Sequence, residues 1–237
     1  MNQNDLKALL ALPDVLTFKR VLCVQPHPDD NEVGMGGIID VLSARGCEVH
    51  YLTVTNGNKG NVDKNASMDE TAAIRREEAE AGGKLLGVRH FHFFDYDDAE
   101  LSDVLELSKK IAGVMKETKF DAVFCPDPWL AYECHYDHTV TGLAAANAFQ
   151  MSDAAAIGYY YTANPNTVID ITDSFAKKIE AVAAHKSQFT EQTLAMITMY
   201  FEMKCKELAH GRGFELGEGL KLLNRLHSHC FVDAYKI

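Results

Sequence analysis

Two short segments of the chain combine histidines with carboxylates at close spacing. The first motif is His27-Pro28-Asp29-Asp30, and the second motif is His135-Tyr136-Asp137-His138. Adjacent carboxylates repel each other unless a cation or hydrogen-bond donors hold them, so stability alone does not explain the first motif. Two histidines and one carboxylate around an open fourth position form the ligand set of a catalytic zinc ion. The two motifs together therefore predict a metal site.

Three residues have the types and positions expected of metal ligands. His27 and Asp30 fit as two of them, because a three-residue step across a turn lets both side chains converge. His138, at the start of a predicted helix, would be the third. Asp29 then remains beside the metal without binding it. That position suits a general base for a water molecule activated by zinc.

The second motif contains two further candidates for this chemistry. His135 would stand near the metal as a group that handles protons or stabilises an oxyanion. Asp137 could orient a histidine ligand through the second ring nitrogen of that histidine. Both residues are therefore predicted to belong to the same site.

The elements that must position these residues alternate through the first 150 residues. Apolar and β-branched runs predict strands, whereas amphipathic and Ala-rich runs predict helices. The predicted strands are Arg20–Gln25, Glu48–Thr55, His90–Asp95 and Phe120–Cys125, and the predicted helices are residues 5–12, Gly36–Ala44, Asp69–Leu86, Asp103–Glu117 and Asp137–Phe149. This alternation predicts right-handed βαβ units and an α/β fold with a mostly parallel sheet flanked by helices.

Each motif follows one of these predicted strands. In an open parallel sheet, ligands bind at the carboxyl ends of the strands, so both motifs are expected at one edge of the sheet. The alternative interpretation is that both motifs are capped turns whose polar groups are already satisfied. Their occurrence after two strands of the same sheet favours a site over two unrelated turns.

The pattern changes after residue 150. Ile157–Thr162 and Thr167–Ile171 are predicted strands that could form a small antiparallel addition, and C-terminal helices are predicted from Asp173 to about His210 with a break near Phe189-Thr190. The tail from Gly211 to Ile237 has no assigned element, and its apolar portion indicates a homo-oligomer interface. No linker or repeat marks a boundary, so residues 1–237 are predicted to be a single domain.

Histidines outside the two motifs carry weaker signals. His227 and His229 would share one face if their segment were a strand, which would suit a packed interface or pocket wall better than a second metal. Those interpreted as ordinary strand or surface residues are His50, His90, His92 and His210.

Composition excludes several classes of partner. The chain has 34 acidic and 23 basic residues and a formal net charge of −11, which argues against nucleic acid and against docking to anionic membranes. It contains no apolar run of about 18 residues and no basic start before an apolar core, so neither a membrane span nor a signal peptide is predicted. The six cysteines form no CxxC pair. This pattern is typical of reduced thiols in a cytoplasmic protein.

These residues also carry a family resemblance. The first motif, with Gly34 following, resembles the HPDD motif of the PIG-L/LmbE family of zinc-dependent N-deacetylases, and the second motif resembles the HxDH motif of that family. The family often has Glu directly after HPDD and Pro in HPDH, where this chain has Asn31 and Tyr136. Further similar segments, spread over roughly residues 20 to 190, are Thr55-Asn56-Gly57, Arg75 to Glu78, Leu86-Gly87, and His185 with Ser187 and Gln188.

The resemblance implies a Rossmann-like fold and one zinc ion per subunit, held by His27, Asp30 and His138, with other divalent transition metals as alternatives. It implies that Asp29 is the base and that His135 polarises the amide or protonates the leaving amine. The implied reaction removes the acetyl group from a small molecule containing N-acetylglucosamine. Residues 24–30 and 126–130 are most similar to the branch of the family that acts on diacetylchitobiose.

Two residues are candidates for substrate binding. Arg75 could bind a substrate hydroxyl or carboxylate, or could pair with Glu78, and the resemblance favours the site role. Trp129 could stack on the apolar face of a sugar, or could equally belong to the core. Three other functions remain as alternatives: deacetylation of another N-acyl amino-sugar conjugate, a metal-dependent phosphoesterase, and a non-catalytic sugar- or nucleotide-binding domain.

Overall fold

The apolar runs of the sequence form one seven-stranded sheet in a computed structural model that describes residues 2–234. The order across the sheet is β3-β2-β1-β4-β5-β7-β6, in which the first five strands of the chain pair in parallel and β7 pairs antiparallel with both β5 and β6. The strands are β1 (Arg20–Gln25), β2 (Glu48–Thr55), β3 (His90–Tyr96), β4 (Ala122–Pro126), β5 (Ala156–Tyr160), β6 (Thr167–Asp170) and β7 (Gly217–Asn224). The predicted mostly parallel α/β sheet with an antiparallel addition is confirmed.

Helices cover both faces of the sheet. Alternate residues of β1 show this directly, because Val21 and Cys23 pack into a core with α2, whereas Leu22 and Val24 pack into a second core with α4 and α5. Burial on both faces is typical of a parallel sheet. The helices are α1 (Gln3–Leu10), α2 (Asp30–Ala44), α3 (Met68–Leu85), α4 (Val104–Glu117), α5 (Tyr136–Gln150), α6 (Phe175–Ala183) and α7 (Glu191–Ala209).

Helix α2 begins at Asp30, six residues before its predicted start at Gly36. The glycines that suggested a turn are close-packing positions inside the helix. A Cβ at Gly34 would lie 2.4 Å from the ring of Tyr160, so the helix can approach β5 only without a side chain there. A kink at Met35 (φ −150°, ψ 25°) separates the first turn from the rest. The first motif therefore runs directly into a helix.

The C-terminal tail contains a strand that the sequence pattern did not indicate. β7 inserts between β5 and β6, so the two predicted strands after residue 150 are not direct neighbours. His227 and His229 lie in a π-helical turn, Leu226–Cys230, and not in a strand. Residues 235–237, the end of the tail proposed as an oligomer interface, lie outside the described residues. Within residues 2–234, no helix is long and apolar enough to span a membrane.

Candidate functional site

The first motif forms the turn between β1 and α2. Gln25 at the end of β1 fixes this turn, because its amide donates to Thr53 Oγ1 at 2.8 Å and its oxygen accepts from the Asn31 backbone N–H at 2.9 Å. Asp29, in the turn itself, has a φ of +152°, a conformation that costs a non-glycine residue energy and persists only where surrounding contacts enforce it. Such strain in a turn held from both sides is characteristic of functional positions.

Asp30 lies between one histidine from each motif. Its Oδ2 is 3.2 Å from His27 Nδ1, and its Oδ1 is 3.4 Å from His138 Nε2. The hydroxyl of Tyr161 donates to the same Oδ1 at 3.2 Å. Burial raises the pKa of this carboxyl, but the charge of His138 and the hydrogen bonds from His27 outweigh burial and lower it. The three predicted metal ligands therefore lie together, with the carboxylate in the middle.

His27 is surrounded by carboxylates. Besides its contact with Asp30, its Nε2 lies 3.2 Å from both Asp98 Oδ1 and Asp137 Oδ2. Burial lowers the pKa of His27, but the hydrogen bonds to these three carboxylates outweigh burial and raise it well above its ordinary value. Asp137 is fully buried and is itself fixed by the Ala99 backbone N–H at 2.7 Å. Its contact with His27 is the one that the predicted orienting role of Asp137 requires.

The second motif presents its histidines from the start of α5. His135 is the residue before the first turn of α5, and its backbone carbonyl accepts from the backbone N–H of His138 at 3.1 Å. The ring of His135 lies 4.4 Å from the ring of His27. Burial, followed by the nearby charges of His27 and His138, lowers the pKa of His135. A neutral imidazole at this position can accept a proton near pH 7 and can donate a hydrogen bond through its N–H.

Asp29 pairs with Arg75, a buried residue of α3. The Arg75 guanidinium lies 3.3 Å from Asp29 Oδ2 and donates to the backbone carbonyls of Pro28 and Gly57 at 3.2 and 3.1 Å. Burial raises the pKa of the Asp29 carboxyl to about 6, although the charge of Arg75 opposes the shift. Gly57 has a φ of +64°, and a Cβ there would lie 2.5 Å from the guanidinium. The Thr-Asn-Gly loop is therefore built around Arg75.

Arg75 does not pair with Glu78, the alternative raised by the sequence. Glu78 instead accepts from the backbone N–H and the hydroxyl of Ser187, at 2.8 and 2.6 Å. Gln188 donates to the carbonyl of Gly60 at 2.7 Å, so the segment after α6 holds the loop that surrounds Arg75. Because Arg75 is buried, its substrate-binding role stays a prediction.

A cavity of about 540 Å³ opens beside His138. Leu130, Tyr161 and Gly34 line it together with Tyr200 and Lys204 of α7. This volume lies within the range of about 300–1,000 Å³ that is usual for small-molecule sites. Trp129 lies outside the cavity lining, is 64% exposed and packs its ring against Tyr159. Its predicted stacking on a sugar remains a prediction.

The described residues at this edge offer several ligand sets for a metal ion. Potential ligand atoms lie within 4.8 Å of one another in the group His27, His135 and His138 and in the group His27, Asp98 and Asp137. Within the described part of the chain, the buried Nδ1 of His138 and Oδ1 of Asp137 have no hydrogen-bond partner. Imidazole nitrogens and carboxylate oxygens suit zinc and similar ions. The residues at this edge therefore fit a divalent transition metal.

Two residues that contact the proposed metal ligands were not among the predicted site residues. Asp98 follows the carboxyl end of β3, and Tyr161 follows the carboxyl end of β5. The rule that drew attention to the two motifs, polar residues after parallel strands, applies to both positions. The acidic pair Asp97-Asp98 was visible in the sequence, whereas a lone tyrosine gives no such signal.

Comparisons with known proteins agree with this architecture. The chain is 35% identical to a diacetylchitobiose deacetylase of Thermococcus kodakarensis, over 92% of this chain and 88% of that protein. It is 29% identical to a probable N-acetyl-alpha-D-glucosaminyl L-malate deacetylase 2 of Bacillus cereus, over 72% of this chain and 84% of that protein. The structure matches N,N'-diacetylchitobiose deacetylase from Pyrococcus horikoshii with a TM-score of 0.89 at 33% identity, covering 97% of this chain and 96% of that one.

The family model for PIG-L, described as GlcNAc-PI de-N-acetylase, matches residues 22–149, more than half of the chain. Both motifs lie inside this match. The long alignment with the Thermococcus protein extends the similarity beyond it, to most of the chain. The chain therefore belongs to the PIG-L family.

Proposed function

We propose that this protein is a metal-dependent deacetylase that removes the acetyl group from a small molecule containing N-acetylglucosamine, such as diacetylchitobiose, and releases acetate. One observation carries the proposal. Asp30 joins a histidine from each motif, while its neighbour Asp29 is held apart by Arg75. The names of the similar proteins support the same reaction class, since they are deacetylases of amino-sugar compounds.

The proposed metal ligands are His27, Asp30 and His138, with one ion per chain. Zinc is the proposed metal, and other divalent transition metals suit the same ligands. The ion would polarise the acetyl carbonyl and make a water molecule a better nucleophile near neutral pH. Asp98 and Asp137 would orient His27 through its second ring nitrogen, from which both lie 3.2 Å away.

Asp29 is the proposed general base. Its carboxyl is ionised above a pKa of about 6, so it can accept a proton from water near pH 7. The ion pair with Arg75 would keep the side chain from turning into the ligand set. His135, on the other side of His27, would stabilise the oxyanion or protonate the leaving amine.

The cavity beside His138 is the proposed substrate site. It has space for a saccharide, and Tyr161 and Tyr200 give it aromatic surface on which sugar rings can pack. Arg75 and Trp129 remain proposed substrate contacts. Six free cysteines support the proposed cytoplasmic location. The exposed side chains that support the proposed homo-oligomer are Met196, Met199, Tyr200 and Met203 on α7.

Acetate release from a panel of N-acetylglucosamine mono- and disaccharides tests the reaction and the substrate together. We expect release of acetate from at least one member, with no phosphate release from phosphoesters. The panel includes N-acetylglucosaminyl malate, which separates the two substrate classes of the similar proteins. Phosphate release without acetate release would assign the site to a phosphoesterase instead.

A matched pair of variants tests the ligand set. His138→Gln removes a proposed ligand and should abolish activity and lower the metal content by one ion per chain, whereas His135→Gln should lower activity and leave the metal content unchanged. Metal content is measured by elemental analysis of the folded variants. Loss of metal from His135→Gln alone would favour His135 as a ligand over its proposed catalytic role.

A further inference from the structure

A second cluster of histidines lies at the opposite ends of the strands, at the amino ends of β2 and β3. Glu48 and His50 are two residues apart on β2, and His90 and His92 are two residues apart on β3. Residues two apart on a strand point to the same face. His50 and His90 are direct partners in the parallel register. Strand pairing therefore brings four potential metal ligands to one face, although each pair alone is an ordinary strand segment.

The distances within this cluster suit a metal ion. Ligand atoms of Glu48, His50 and His90 all lie within 4.8 Å of one another. His50 Nε2 is 2.7 Å from Glu48 Oε1, and His90 Nε2 is 3.9 Å from the same oxygen. Two ligand atoms of a tetrahedral zinc ion with bonds of 2.0–2.2 Å lie about 3.4 Å apart. The two observed separations lie on either side of that value.

We propose that Glu48, His50 and His90 bind a divalent transition-metal ion of the zinc type, with His92 as a positioning residue. His50 Nδ1 lies 3.1 Å from His92 Nε2. Because a carboxylate only accepts, His50 Nε2 donates to Glu48 in this structure. Metal binding therefore requires the other tautomer of His50, in which the hydrogen is on Nδ1 and is donated to His92, and the lone pair on Nε2 is free. A second ring nitrogen held in this way fixes the tautomer of a histidine ligand.

The surroundings keep these ligands available. His50 is buried against the edge of the Phe120 ring, which limits the positions its side chain can take. The ring of His90 is about half exposed on the edge strand, which leaves an approach from solvent.

Two local rearrangements would accompany binding. The rings of His50 and His90 stack nearly parallel, 4.2 Å apart, so the exposed ring of His90 must turn to aim its Nε2 at the ion. Arg20 contacts both carboxylate oxygens of Glu48, at 2.9 and 3.0 Å. Its contact with Oε2 can remain and orient the carboxylate, while Oε1 turns to the metal. The bound ion would link edge strand β3 to β2.

Zinc binding by the full-length, chelator-treated protein tests this proposal. Titration with zinc against a chromophoric competitor should count two tight sites in the wild type. His90→Gln, a change at a half-exposed position, should leave one site, and His90→Gln combined with His138→Gln should leave none. His210→Gln, which removes an exposed histidine elsewhere, should leave two. A site count that His90→Gln leaves unchanged would overturn the proposal, whereas a single wild-type site that is lost in His90→Gln would overturn the metal site at the two motifs instead.

A second variant tests the positioning role. His92→Gln should retain the second site but weaken its zinc affinity about 10- to 100-fold, the usual effect of losing a partner of a metal-bound histidine. Added zinc should also raise the melting temperature of His138→Gln but not that of the double variant, since only the former keeps the second site. Unchanged zinc affinity in His92→Gln would contradict its assigned role. Circular dichroism confirms that each variant is folded.

Discussion

The two histidine clusters lie at opposite edges of the same sheet and differ in the charges around them. At the carboxyl edge, His27 contacts three carboxylates, and its pKa rises despite burial. At the amino ends of β2 and β3 (the amino edge), Glu48 is the only carboxylate within residues 2–234 that contacts His50, and it is also engaged by Arg20; burial lowers the pKa of His50. The number of nearby carboxylates, and whether another cation engages them, thus decides the direction of the pKa shift for two histidines of similar burial.

This difference follows from the geometry of parallel strands. The carboxyl ends of β1, β3 and β4 lead into loops and helix starts, which can direct acidic residues from distant parts of the chain toward one point. The amino edge cluster is built within two paired strands, where the pleat allows only every second residue to take part. A reactive site with a spare carboxylate is therefore expected at the first edge and a compact ligand cluster at the second.

The largest effect is expected from Asp29→Asn. The change removes the proposed base but leaves the three proposed ligands, so acetate release should fall by about 10²- to 10⁴-fold while bound metal is retained. Activity assays and elemental analysis of the same preparation measure both quantities. A variant with zinc and full activity would remove Asp29 from the mechanism.

Asp98→Asn should have the next largest effect. It removes one of the three negative charges around His27, the feature that distinguishes the two clusters. Metal affinity or activity should therefore fall about 10- to 100-fold. Asp95→Asn is the matched control, since Asp95 lies three residues earlier near the end of β3, is exposed and pairs only with Arg76 among the described residues. Equal losses of metal affinity or activity in the two variants would mean that the contact of Asp98 with His27 is not their cause.

Gly57→Ala should disturb the position of Arg75. A Cβ at this left-handed residue would lie 2.5 Å from the guanidinium, so we expect a loss of about 1–3 kcal/mol in the free energy of unfolding. Activity should fall as well, because Arg75 holds Asp29. Gly46→Ala is the control, with φ +84° but open space around a Cβ. Gly46→Ala has the same kind of backbone strain without the clash. An equal or larger loss of stability in this control would therefore mean that the contact with Arg75 does not cause the loss in Gly57→Ala.

The smallest expected effect is the contribution of His50 to the pH dependence of stability. Because burial lowers the folded pKa of His50 below its unfolded value of about 6.5, the unfolded state binds more protons between the two values. Stability should therefore fall as the pH drops from 7 through this interval, opposed in part by Glu48 and reinforced by His90 and His92. His50→Gln should lose less stability than the wild type between pH 7 and 5, as measured by urea unfolding with chelator present.

His210→Gln is the control for that experiment. It removes an exposed histidine after α7, outside the amino-edge cluster, and so measures the effect of losing a histidine elsewhere on the surface. If His50→Gln follows the wild type, the lowered pKa does not contribute to folding.

Much of the fold was predictable from local pattern. The alternation of apolar strands with amphipathic helices was enough to predict β1 to β4 and their helices within a few residues. β7 was missed because its residues mix glycine, charge and leucine, and it becomes a strand only through pairing with β5 and β6. The start of α2 was misplaced because Gly34 packs closely against Tyr160, a contact between residues far apart in sequence.

The sequence by itself determined which residue types follow the strands, and therefore that His27, Asp30 and His138 would meet at one edge. Only the tertiary structure decided that Arg75 faces Asp29, that Asp98 reaches His27, and that His50, His90 and His92 come together. The physical reason is that the order of residues along a strand fixes the face on which each side chain lies. The order of strands in the sheet, set by packing across the whole domain, decides which of those side chains become neighbours.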